Sequence, residues 1–380
     1  MGPLAGMKII EFEAIGPAPF VAMTFADMGA TVLRLVRRQS VELSIARGTR
    51  FEATQRGRYP IRLDLKDPTA LDVVRALIDR ADGLIEGFRP GVMERLGLGP
   101  APCLERNPKL VYGRISGWGQ AGPLAHGAAH DINYIAVTGV LNAIGRTGQL
   151  PANPLALVGD FGGGAMFLSQ GMLAAMLHAV RGGPGQVVDV SIAEGAASLA
   201  TYYYGAWASG TLSPGRGSNA TDGGSHFYNT YECADGRLVS VGAIESRFYA
   251  ELLARLEIAP ESLGDQKDPA NWPRATRILA EKFKTRTRDE WCRLLEGSDA
   301  CFAPVLDWDE APEHPQFIAR GTFVDVDGVR QPRHAPRFSA TPCADPTPPR
   351  DPSAEDTHAA LAPWLPAAEV DRLRNAGVLD

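Results

Sequence analysis

The sequence predicts an α/β protein with two domains: a large one built on a doubly wound parallel sheet, and a smaller α+β one. Three observations carry this. Strand-like and helix-like patterns alternate from residue 8 to residue 115. A stretch rich in Gly, Ser, Pro and Asn, residues 209 to 225, interrupts the pattern. A hairpin signal and a run of helical patterns then follow.

In order, Lys8-Ile9-Ile10-Glu11-Phe12 reads as a first strand. Pro17 to Pro19 lead into an apolar helix, Phe20 to Met28, ended by Gly29, and Ala30-Thr31-Val32-Leu33-Arg34-Leu35 forms a second strand. Strand, helix and strand over about thirty residues make a βαβ unit, whose strands run parallel. The pattern recurs with a helix over Thr69–Asp82 and the strand Gly83-Leu84-Ile85-Glu86, and Leu110 to Ile115 is another strand. In such a sheet the ligand crevice lies at the carboxyl ends of the strands. A long apolar helix, Gly164 to Arg181, is broken by Gly182-Gly183-Pro184-Gly185, and Gln186 to Ile192 reads as a buried strand. Tyr228 to Cys233 and Leu238 to Gly242 flank Ala234-Asp235-Gly236-Arg237, and Asp-Gly between strand-like runs marks a hairpin. Helical patterns occupy much of 246–297, residues 341–352 are Pro-rich, and a last short helix spans Pro366–Ala376 and packs back on the large domain. The expected domains are a large one over 1–200 completed by 325–380, a linker over 201–224, and a small one over 225–324.

Composition narrows the function. With 22% charged and 45% hydrophobic residues in 380, the chain has an ordinary globular balance. A formal net charge of -6 argues against nucleic acid as the main partner, since phosphate backbones select basic faces. The five cysteines are scattered, with no C-x-x-C pair, which points to a reducing, cytoplasmic setting. The first six residues hold no apolar signal core, and Ala165–Val180, interrupted by Ser169, Gln170 and His178, reads as a buried helix rather than a membrane span. The seven histidines have no metal-site spacing. No G-x-G-x-x-G follows the first strand, so neither nicotinamide nor flavin is implied.

Three segments hold chemistry-bearing residues: Ala129-His130-Asp131-Ile132-Asn133-Tyr134, Leu157-Val158-Gly159-Asp160-Phe161-Gly162-Gly163-Gly164, and Val241-Gly242-Ala243-Ile244-Glu245-Ser246. Read alone, Asp160 is an N-cap or a functional carboxylate. The glycines after it would let a ligand approach the backbone and would offer N–H groups at a helix start to negative charge. His130 alone reads as a structural histidine, and Glu245 as a surface carboxylate.

Together these segments resemble the family III CoA-transferase superfamily, and more closely its α-methylacyl-CoA racemase branch. The resemblance runs from about residue 3 to about 340. It includes Asp64-Leu65-Lys66, Leu84-Ile85-Glu86-Gly87-Phe88-Arg89-Pro90-Gly91-Val92, Glu94 to Pro100, Tyr112 to Gln120, and Thr230 to Arg237. It implies that His130 and Asp160 flank the carbon next to a thioester carbonyl, one taking its proton and the other returning it through an enolate. Histidine would serve the S epimer and aspartate the R epimer, with a backbone amide near Asp160 as the donor to the enolate oxygen. Glu245, from the partner's small domain, would hold the histidine ring, which implies an interlocked homodimer. Coenzyme A contacts carry over to Arg37, Leu63, Asp64, Leu65, Lys66, Gly87, Phe88, Arg89, Arg95, Ala129, His130, Asp131, Ile132, Asn133 and Tyr134. Coenzyme A then enters as part of the substrate, with no separate cofactor.

Some choices stay open. Arg37 and Arg38 compete for the phosphates, and Asp131 either holds the site or caps a turn. Tyr202-Tyr203-Tyr204 and Trp207 line an acyl tunnel or belong to ordinary core. Ala129 stands where relatives usually carry Gly, Phe20 replaces a commoner histidine, and Val41–Arg62 diverges most. Two other functions compete: a CoA-transferase with Asp160 as covalent nucleophile, and a catalytically silent acyl-CoA binder, which would need no acid/base pair.

Overall fold

The computed structural model describes residues 2–38 and 47–379, so that part of the divergent Val41–Arg62 strip lies outside the described residues. Six parallel strands form the main sheet: β1 (Lys8–Phe12), β2 (Thr31–Arg37), β3 (Tyr59–Leu63), β4 (Gly83–Glu86), β5 (Val111–Ser116) and β6 (Gln186–Ser191). Their order is β3-β2-β1-β4-β5-β6. This is the doubly wound arrangement, with its switch point between β1 and β4.

Strand geometry explains the continuous apolar runs. Successive side chains point to opposite faces, so a sheet covered on both sides needs apolar residues at every position. Ile9, Val32, Ile85 and Val111 enter a core shared with the helices Pro17–Asp27 and Phe167–Val180. Their neighbours Ile10, Leu33, Leu84 and Tyr112 enter the opposite core, with the helix Pro68–Ile78 and the helices Ala354–Leu361 and Ala367–Asn375. Each such side chain, once buried, contributes about 1.5–3 kcal/mol. The last helix packs back through Val370 and Leu373.

One strand goes unseen in the sequence and one expectation fails. The strand β3 gives no clear pattern in the sequence, because Tyr59-Pro60-Ile61-Arg62-Leu63 has two interruptions of apolar character. The strand β6 is buried only at its carboxyl end: Gln186, Val187 and Asp189 are exposed, while Val190 and Ser191 are buried. Among the described residues it pairs only with β5 and ends the sheet.

The apolar helix starts earlier than its pattern implies. Leu157–Met166 is a π-helix that runs directly into Phe167–Val180. The run Leu157–Val180 passes the length and composition test for crossing a membrane, and it is the one described helix that does. Leu168, Met172, Ala175 and Met176 on it are buried in the core beside the sheet.

The chain divides into two compact units. One holds Met1–Thr138, Leu155–Leu199 and Gln316–Asp380; the other holds Gly139–Pro154 and Ala200–Pro315. Residues 139–154, expected with the large domain, thus belong to the second unit. That unit has an antiparallel sheet of β7 (Tyr228–Glu232), β8 (Leu238–Gly242) and β9 (Phe302–Pro304), with Asp235-Gly236 in the β7–β8 turn. Helices Ser246–Arg255, Trp272–Phe283 and Arg288–Leu295 close a core around Val239, Val241, Leu252, Leu279, Phe283 and Trp291.

Candidate active site

The segment after β5 carries His130 to the start of a short helix, Asp131–Ala136. His130 is exposed, and its N–H donates to Asn133 Oδ1 at 3.1 Å. Tyr134 is buried, its ring edge-on to Trp118 and its hydroxyl bonded to the Ala129 carbonyl. Asp131 is buried too, and its Oδ1 accepts the Asp160 N–H at 2.7 Å. That bond ties the histidine segment to the π-helix.

Asp160 is half-buried in the first turn of the π-helix. Burial pushes its carboxyl up to about 6; the charge of Asp131 pushes the same way, and His130 opposes both. The imidazole and the carboxyl therefore share one electrostatic environment. A Cβ on Gly16, just before the helix Pro17–Asp27, would lie 3.2 Å from Asp160 Oδ2, which places the carboxyl beside that helix end. The rings of Phe20 and Phe161 meet next to it, 4.9 Å apart.

One expectation for this segment is corrected and another is narrowed. Asp160 caps no helix, because it lies inside the π-helical turn. Its own amide is already bonded to Asp131, so it is not free for a substrate oxygen. Gly162, Gly163 and Gly164 also lie within the π-helix rather than at its start. Their smallness serves packing. A Cβ on Gly163 would sit 2.5 Å from the Ala196 backbone nitrogen, and one on Gly195 would sit 1.8 Å from the Gly163 carbonyl oxygen. The helix Ile192–Leu199 thus lies backbone-to-backbone on the π-helix.

The residues expected at the nucleotide end gather at the carboxyl ends of β1 to β4. Arg37, Leu63, Leu65 and Phe88, with Phe12, Glu13, Leu35 and Val36, line one cleft. The Arg37 guanidinium lies 5.8 Å from the centre of the Phe88 ring. Arg38 Nη2 instead donates to the Gly377 carbonyl at 2.8 Å, so the structure assigns the cleft to Arg37. Asp64 and Lys66 are exposed on the turn after β3, where the Lys66 N–H donates to Asp64 Oδ1 at 3.0 Å. Gly87 and Arg89 flank Phe88, and Arg89 acts electrostatically on the Tyr134 hydroxyl, which burial pushes up to about 12. Arg95 ends the short helix Val92–Arg95 and is exposed, as are Ile132 and Asn133; Ala129 packs against the core.

The sequence reading missed Glu86. This buried carboxylate ends β4, accepts the Phe88 N–H at 2.8 Å and takes Arg114 Nε at 3.1 Å. Burial pushes it up to about 7, against the hydrogen bonds and charge that favour its ionised form. Its signal was a carboxylate closing an apolar strand at the switch point, where it anchors the loop that carries Phe88 and Arg89.

Glu245 belongs to the second unit, directly before the helix Ser246–Arg255, and is exposed. Gln266 Nε2 donates to the carbonyls of Ala243 and Ile244 at 3.0 Å each and so fixes the turn that presents it. Tyr202 and Trp207 are 77% and 55% exposed, which removes the ordinary-core reading for that aromatic run. Among the described residues no group of three His, Cys, Asp or Glu side chains could hold a metal ion.

The chain is similar to known proteins. The mouse protein named alpha-methylacyl-CoA racemase is 43% identical over 351 residues, covering 92% of this chain and 90% of its own. The human protein of the same name is 40% identical over 352 residues, with the same two coverages. A solved CAIB/BAIF family protein from Brucella suis superposes with a TM-score of 0.79 at 26% identity, covering 97% of this chain and all of that one. The sequence model of CoA-transferase family III matches residues 4–357. The doubly wound sheet, the His130–Asp160 neighbourhood beside it and these likenesses together mean that the chain belongs to CoA-transferase family III.

Proposed function

We propose that this protein is an α-methylacyl-CoA racemase, interconverting the 2R and 2S epimers of 2-methylacyl-CoA thioesters. The observation that carries the reading is the electrostatic action of His130 on Asp160, a carboxyl pushed up to about 6, in a chain 40% and 43% identical to two proteins named racemases. A thioester α-proton is weakly acidic, and inverting the centre needs one group to take the proton from one face and another to deliver it to the other. His130 takes it from the S epimer and Asp160 from the R epimer, through a planar enolate. Such acid/base help contributes roughly 10²–10⁴-fold, and it works best when the pKa lies near the operating pH.

The enolate oxygen needs a hydrogen-bond donor, worth about 10²–10³-fold. The Asp160 amide is occupied. The Asp131 N–H, adjacent to His130 and without a backbone acceptor among the described residues, is our candidate. The cleft of Arg37, Leu63, Leu65 and Phe88 takes the nucleotide end of coenzyme A, with Arg37 and Arg89 toward its phosphates. The proton transfers balance without a separate cofactor. A cytoplasmic setting suits the five free cysteines.

We further propose a homodimer in which Glu245 of one subunit holds the His130 ring of the other, fixing its tautomer. The apolar surface on a single chain supports it: Val180, Tyr202 and Trp207 are 74%, 77% and 55% exposed. Mixing H130A and E245A subunits tests this. A hybrid dimer regains one intact site and therefore activity, whereas sites contained within one chain regain none.

The reaction is tested with each epimer in D₂O. Deuterium at C2 with loss of optical purity supports racemisation. Movement of CoA to a free carboxylic acid would instead favour the transferase route, with Asp160 forming a mixed anhydride.

A further inference from the structure

We propose that Asp131 is a positioning residue for Asp160: its buried carboxylate fixes the Asp160 main chain and confronts the Asp160 side chain with a like charge. This rests on the two-base reading above and adds a device to it.

Four observations bear on it. Asp131 is 6% exposed, so its carboxylate is withdrawn from water. One oxygen, Oδ1, accepts the Asp160 N–H at 2.7 Å. The other, Oδ2, is buried and has no hydrogen-bond partner among the described residues. Buried carboxylate oxygens are usually paired, so this one leaves an uncompensated acceptor beside a second carboxyl. Finally, Gly159 makes the approach possible, since a Cβ there would lie 2.3 Å from Asp131 Oδ1.

The charged groups acting on Asp160 are few. From the histidine segment they are Asp131, which disfavours its ionised form, and His130, which favours it. Tyr134, on the same short helix, is neutral near pH 7, its phenol pushed up to about 12 by burial. The neighbouring end of the helix Pro17–Asp27 offers Gly16, Pro17, Ala18 and Pro19, none charged. On the helix Ile192–Leu199 the one charged residue, Glu194, is exposed and acts on Asp189. Among the described residues Asp131 is thus the one neighbouring like charge, and it acts together with burial. Its effect is to make Asp160 a stronger base toward the R epimer, and to keep the carboxyl where the bond to its own backbone puts it.

The experiment measures kcat and KM for the R epimer across the pH range. Asp131→Asn keeps an oxygen that can accept the Asp160 N–H but loses the charge. The acid limb of kcat/KM then moves to lower pH, because Asp160 loses a like charge, and kcat falls about 10-fold as the base weakens. Asp131→Ala also loses the acceptor, and kcat falls on the order of 10²-fold. A D131N profile that superimposes on the parent's overturns the proposal; a purely structural Asp131 would lower stability without moving the limb. If D131N does not fold, Gly159→Ala decides, since its methyl displaces the Asp131 carboxylate: a limb moved to lower pH supports the proposal and an unmoved limb overturns it. Failure of the underlying reading looks different. There, D160A itself would still exchange the α-proton at the parent rate, whatever D131N does.

Discussion

The two ends of the crevice are built by different means. At the nucleotide end, Arg37, Leu63, Leu65 and Phe88 come together because parallel strands in regular register end side by side. Glu86 then anchors the loop that carries Phe88. At the acid/base end, nothing regular brings His130 to Asp160. A π-helix, a short helix of six residues and a bond between Asp131 and the Asp160 amide do so. The first end rests on repeated sheet geometry that tolerates side-chain change. The second rests on close backbone approach, where a single methyl group is too many.

That contrast can be broken experimentally. The largest effect is expected from His130→Ala and Asp160→Ala, which should lower α-proton exchange roughly 10²–10⁴-fold with little change in thioester affinity. Equal losses from changes at the nucleotide end would erase the distinction. Gly163→Val comes next. Its side chain would press into the Ala196 backbone, so unfolding should cost about 1–3 kcal/mol less and the thermal midpoint should drop. Racemisation should fall with it, because the π-helix that carries Asp160 shifts. A parent-like midpoint would show that the packing adapts.

A smaller effect is expected at the other end. Arg37→Ala should raise KM for the CoA thioester about 10-fold and change kcat little, since it removes binding felt equally by the ground and transition states. A fall in kcat as large as that in kcat/KM would place Arg37 in the chemistry. The smallest effect is a pH dependence. For the R epimer Asp160 must start ionised, so kcat/KM should be half its plateau near pH 6 and fall as pH drops further. A rate that is flat through that range would mean that Asp160 is not the base.

Much of this was legible in the sequence, for specific reasons. β1, β4 and their covering helices announce themselves because strands buried on both faces must be apolar throughout. The Asp235-Gly236 turn is visible because few residues suit a tight hairpin. Other features were not. β3 hides behind Pro60 and Arg62, and β6 looks buried although it ends the sheet. Glu86 looks like any strand-ending carboxylate.

The glycine run shows where the boundary lies. The residues themselves determined that the backbone near Asp160 would be approached closely, because only glycine lacks a Cβ. Whether a ligand or another helix does the approaching depended on long-range packing. The tertiary structure chose Gly195 and Ala196, and it drew the Asp131 carboxylate onto the Asp160 amide, one of the backbone amides in the neighbourhood where the sequence places a donor for substrate. Local patterns encode what a segment can tolerate. Which partner fills the space is settled only when residues far apart in the chain meet.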